Sequence, residues 1–166
     1  MRHYAYVGPA HIRAAAIGAQ SGFEVLTTAD LARWLAANAS EREAAGIPAT
    51  FVVSTAGTLR LANRRSEHIA CAAGEAVLAA GEMFFDDKRV IAVSNLSTGY
   101  CPEPASWPAV ADALDRAGIP HPGRFTSAFL FRRCPTCGER NVIKDDYFVC
   151  VVCDADLPAE WNFSVR

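Results

Sequence analysis

Two Cys-x-x-Cys pairs stand twelve residues apart near the end of this 166-residue sequence: Cys134-Pro-Thr-Cys137 and Cys150-Val-Val-Cys153. A two-residue gap lets two thiolates of one tight turn reach a common ion, and Zn²⁺ takes four such soft ligands in a tetrahedron. Residues 134–153 must therefore double back until the second pair stands beside the first. Residues 141–144 and 147–150 can do so as a hairpin across Asp145-Asp146. Gly138 follows the first pair, where a knuckle turn tends to need positive φ. The expectation is one structural zinc ion held by Cys134, Cys137, Cys150 and Cys153, with no coordination position left for water. Six cysteines in a chain with no evident secretory leader read as metal ligands or thiols rather than as a disulfide framework.

Spacing, glycine and hairpin together resemble the zinc ribbon family with rubredoxin-type knuckles. The resemblance implies a small module that docks on nucleic acid or on another protein. Charge separates the two. From Cys134 onward Arg140, Lys144 and Arg166 face Glu139, Asp145, Asp146, Asp154, Asp156 and Glu160, although Arg132 and Arg133 stand just before. Phosphate binding needs the reverse balance, and the whole chain carries a net charge of −2. A protein partner, or a purely stabilising role, is expected of the ribbon, and nucleic acid is disfavoured.

Ahead of the ribbon, 51% hydrophobic and 20% charged residues suffice to bury a core. Much of the apolar content is alanine, so the core must rest on larger residues such as Phe51, Leu61, Phe84 and Val110. Residues 4–7 read as a short strand and 9–17 as a helix opened by Pro9. Thr28 caps a helix to residue 38 with Leu31, Trp34 and Leu35 on one face. Alternation then takes over: 50–54 and 58–62 form one hairpin, 67–71 a further strand, and 76–85 with 89–95 a second hairpin. Ser106 is placed to cap a helix bearing Trp107, Val110 and Leu114, ended by Gly118 and Pro120. Residues 126–131 lead into the cysteines as a strand. The fold class expected is α+β: an antiparallel meander with two N-terminal helices and one later helix over residues 1–131, and a ribbon over 132–166. The opening residues hold no signal-like apolar stretch and no run is long enough to span a membrane, so a soluble, cytoplasmic protein is expected.

A second pattern lies upstream. Residues 64–82 read RRSEHIACAAGEAVLAAGE, and residues 94–104 read SNLSTGYCPEP. They resemble the core of plant IQ-motif calmodulin-binding proteins and of assorted bacterial proteins, across roughly residues 65–118. There a His-led strand runs into Ala-Ala-Gly-Glu, and a Ser-Gly-His-Tyr-x-Pro loop follows. His68 falls on the leading His, Ala79 to Glu82 on AAGE, and Ser97, Tyr100 and Pro102 on the loop, where Thr98 and Gly99 replace Gly-His. No IQ helix is present, so the resemblance implies a fold and not calmodulin binding.

If His68 lies on one strand and Tyr100 just past the end of another, both can face one cavity with Glu103 beside them. Imidazole is a base near neutral pH, and a phenol donates a hydrogen bond. This trio of residue types also resembles NAD⁺-using ADP-ribosyltransferases, which would imply an enzyme acting on a nucleotide or other small anion. The alternative for each residue is structural. His68 would be bonded to backbone, Tyr100 would tie down a loop, Cys71 and Cys101 would be inert thiols, and Trp161 would pack the tail onto the ribbon. No complete nucleophile, base and oxyanion set can be assembled, which favours a protein-interaction or regulatory module over an enzyme.

Overall fold

The computed structural model describes residues 1–163. Its elements run α1 (Ala10–Ala15), β1 (Phe23–Val25), α2 (Thr28–Ala37), β2 (Ile47–Ser54), β3 (Leu59–Asn63), α3 (His68–Cys71), β4 (Val77–Asp86), β5 (Arg89–Ser94), α4 (Trp107–Arg116), β6 (Leu130–Arg133) and β7 (Arg140–Ile143). The α+β class expected from the sequence is the one observed. No helix among the described residues is long and apolar enough to cross a membrane.

The main sheet has five strands, all antiparallel to their neighbours, in the order β1-β3-β2-β4-β5. Two hairpins, β2–β3 and β4–β5, lie side by side, and the link from β3 to β4 passes over β2. A plain consecutive meander would leave β2 near an edge. Its composition argues for the centre: all eight positions of Ile47–Ser54 are buried. A continuous apolar strand of this kind needs a neighbour at each edge and cover on both faces.

That cover forms two layers. Leu31, Trp34 and Leu35 of α2 and Val110 and Leu114 of α4 pack on Phe51, Val53 and Phe85 on one face. On the other, Tyr4, Ile69, Cys71 and Tyr100 pack on Val52, Val77 and Ala80. Phe84 is only half-buried because the pleat turns Met83 and Phe85 inward in its place. The N-cap of α2 is Thr27, one residue earlier than expected. Its hydroxyl accepts from the Asp30 amide at 3.2 Å, while the Asp30 carboxylate accepts from the Thr27 amide at 2.9 Å. Ser106 makes no cap bond; its hydroxyl donates to the Glu103 carbonyl at 2.7 Å.

The expected strand over 67–71 is instead the helical turn α3, with the Ala72 amide donating to the His68 carbonyl at 2.9 Å. Both sides of β2 are already occupied by β3 and β4, so a strand here would lack a ladder. The alanines at 70 and 72 favour a helical turn, which ends where Ala73 and Gly74 take positive φ. Residues 126–131 also differ from expectation. Only Ser127 bridges the main sheet, at Ser94, and the strand proper is Leu130–Arg133, which pairs with β7 in a separate two-stranded sheet. The residue 4–7 strand reduces to a single bridge between Tyr4 and Val77.

Candidate metal centre

β6 and β7 carry the first Cys-x-x-Cys knuckle between them, and a second turn carries the other. The four Sγ atoms of Cys134, Cys137, Cys150 and Cys153 lie within 4.8 Å of one another, and Cys134 to Cys153 and Cys137 to Cys150 are 3.5 and 3.6 Å apart. Zinc–sulfur bonds of about 2.3 Å give a tetrahedron with edges of about 3.8 Å, so this set fits a tetrahedral thiolate site. It is the one His/Cys/Asp/Glu group among the described residues that converges in this way. Gly138 has φ +79°, as the knuckle geometry requires.

Asn141, which the sequence did not single out, holds the two knuckles together. It is buried, donates to the Cys150 Sγ at 3.6 Å and to the Glu139 carbonyl at 3.1 Å, and accepts from the Val151 amide at 3.0 Å. Its side chain therefore orients one ligand and pins a backbone atom of each turn. Beneath it the apolar floor is small: Ile143 and Leu157 are buried beside Cys134 and Cys150, with Leu130 and Phe148 against them.

Arg132, one of the two arginines just before the ribbon, is buried and donates to the carbonyls of Phe131, Pro158 and Ala159. Trp161 packs against the cluster that holds Phe131 of β6, and it also ties the tail to the body of the protein. Its indole nitrogen donates to the Cys101 carbonyl at 2.7 Å and its ring meets Tyr4 edge-on. Phe131 and Phe163 share a cluster with Cys101, and Arg140 donates to the Thr98 carbonyl.

His68, Tyr100 and Glu103 have separate engagements. His68 Nε2 lies 2.9 Å from the Gly81 carbonyl, which can only accept, so Nε2 carries the proton. Burial lowers the pKa of this imidazole against the opposing pull of that bond, which keeps it neutral. The Tyr100 hydroxyl donates to the Glu75 carbonyl at 2.6 Å, and burial raises its pKa. Glu103 pairs at the surface with Arg2. Burial pushes the Cys71 and Cys101 thiols up to about 12. A cleft of about 460 Å³ between α1 and α3 is lined by Ser66, Glu67 and Ala70 together with His11 and Ile12, and includes none of the three.

Gly81 explains part of the motif. A Cβ there would lie 1.9 Å from the Ser94 carbonyl oxygen, so β4 and the end of β5 approach more closely than any side chain permits. Comparison with protein-family models, with curated proteins and with solved structures finds no match to this chain, and the likeness of residues 65–118 to IQ-motif proteins gains no support from it.

Proposed function

We propose that this chain is a protein-binding module of α+β fold whose C-terminal ribbon is built on one structural zinc ion held by Cys134, Cys137, Cys150 and Cys153. The observation that carries the reading is the donor set, four converging thiols that complete a tetrahedron and leave no position for water or substrate. Bound there, zinc supplies a cross-link and not a Lewis acid. The chain's own residues do the rest: Asn141 orients Cys150 and joins the turns, while Ile143 and Leu157 form a floor too small to hold the ribbon by itself. The bonds of His68 Nε2 and the Tyr100 hydroxyl to main-chain carbonyls support binding over catalysis, because both donors are committed to separate backbone partners and no converging set of catalytic groups is formed. The acidic ribbon supports a protein partner over nucleic acid.

Metal analysis of freshly purified protein tests the first half, with one zinc per chain and an all-sulfur shell near 2.3 Å expected. A thermal-shift screen of nucleotides and small anions tests the second. No shift is expected, and a nucleotide that raises Tm by several degrees would move the function to a small-ligand site.

A further inference from the structure

The second knuckle carries two valines where nothing in the metal site asks for them. In a Cys-x-x-Cys turn the intervening residues contribute backbone, and their side chains point away from the ion. The first knuckle fills these positions with Pro135 and Thr136, but the second uses Val151 and Val152, which are 80% and 63% exposed. Turns favour Gly, Asn, Asp and Ser, and β-branched residues are poor there. Both local propensity and solvation thus oppose this choice. Side by side on one turn, the two valines make a small exposed apolar patch.

The surroundings indicate what covers it. The Val151 amide donates to Asn141, whose side chain also donates to the Glu139 carbonyl, so Glu139 stands on the neighbouring turn. Asp154 closes the second knuckle with its amide on the Cys150 carbonyl, and Asp156 bridges Val149 just beyond. These three acids are exposed, whereas the nearby Arg140 donates to Thr98 in the body of the protein. We propose that Val151 and Val152 form the apolar centre of a docking surface for a basic protein segment, one that places an apolar side chain on the valines and lysines or arginines opposite Glu139, Asp154 and Asp156. The assignment rests on the protein-binding reading above and names the face and the chemistry of the partner. An anionic membrane surface or a phosphate backbone would meet the same acids with repulsion.

The test uses the zinc-loaded full chain as bait for a displayed random-peptide library, with the V151S/V152S double variant as counter-bait. Both valines are exposed, so the variant should keep its zinc and its melting temperature. Enriched peptides should carry an aliphatic or aromatic residue flanked by Lys or Arg. They should bind the variant at least tenfold more weakly, and bind the natural chain several-fold more weakly at 0.5 M salt. Peptides that bind the variant equally well would overturn this assignment while leaving a protein-binding module with its face elsewhere. No enrichment at all would overturn both. Self-association of the natural chain that the double variant abolishes would give the face to a second copy and overturn the basic-segment assignment.

Discussion

Replacing Asn95 tests how the junction between sheet and ribbon is held. Asn95 is fully buried at the end of β5. Its side-chain amide donates to the Pro102 carbonyl at 2.8 Å and to the Phe129 carbonyl at 2.8 Å, and its carbonyl accepts from the Phe129 amide at 2.7 Å. One side chain thus fastens the 96–104 loop and the segment entering β6. Asn95→Ala strands two carbonyls and one amide, each costing about 1–3 kcal/mol when buried and unpaired. Phe129 is only half-buried and water can reach part of the vacancy, so the expected loss is about 3 kcal/mol. Asn95→Asp keeps the volume and the bond from Phe129 but turns a carboxylate toward two carbonyl oxygens. It should cost at least as much as Ala at neutral pH. Urea denaturation of the zinc-loaded protein, followed by circular dichroism and tryptophan fluorescence, reads both midpoints at constant slope. If the Asp variant lost less than about 1 kcal/mol, hydrogen bonding by Asn95 would not be what holds this junction.

Chelation of zinc, or Cys150→Ser, should unfold residues 134–163 and shift Trp161 emission while the five-stranded sheet keeps its circular-dichroism signal; a ribbon that stays ordered without metal would refute the small-floor argument. With zinc bound, Cys71 and Cys101 should resist alkylation at neutral pH, since burial holds both thiols near 12, and rapid labelling of either would contradict that burial. His68 is held neutral with its pKa below the unfolded value of about 6.5, so the unfolded chain binds the extra proton. Stability should therefore fall as pH drops below about 6.5, by up to about 1.4 kcal/mol per pH unit, and stop falling from this cause once the folded pKa is passed. His68→Gln can still donate to Gly81, and comparing urea midpoints at pH 7 and pH 5 should show a flatter profile in the variant.

Legibility in the sequence tracked how local each cause was. The metal ligands were readable because spacing alone decides whether two thiolates of a turn can share an ion. The hairpins at β2–β3 and β4–β5 and the helices α2 and α4 announced themselves by period. The order of the strands did not, because it depends on which central strand needs cover on both edges. The turn α3 was misread since Ile69 and Cys71 are buried in alternation, a pattern that a helical turn against a sheet can also produce. Asn95, Arg132 and Trp161 were opaque or misassigned for one common reason. Their partners lie 34, 27 and 60 residues away in the chain, and nothing in their neighbourhoods marks a polar group as buried.

The loop after β5 shows why a motif of chemistry-bearing residues can serve a fold. Within seven residues it receives the Arg140 guanidinium at Thr98, the Val7 amide at Gly99 and the Trp161 indole at Cys101, while Tyr100 reaches out to Glu75. Cys101 takes φ +48° to turn the chain beneath Trp161, a conformation that costs a non-glycine residue something and that these contacts hold in place. Ser97 Oγ is buried without a hydrogen-bond partner among the described residues. The ribbon and the tail thus seat on Thr98 and Cys101, which flank Tyr100 in this loop. Arg140 stands at the start of β7, so its bond to Thr98 ties the ribbon to this loop. Tyr100→Phe, which removes the bond to Glu75 and leaves the ring, should lower the urea midpoint by an amount equal to about 1 kcal/mol with the zinc content unchanged. The loop around Tyr100 thus serves the fold by joining sheet, ribbon and tail.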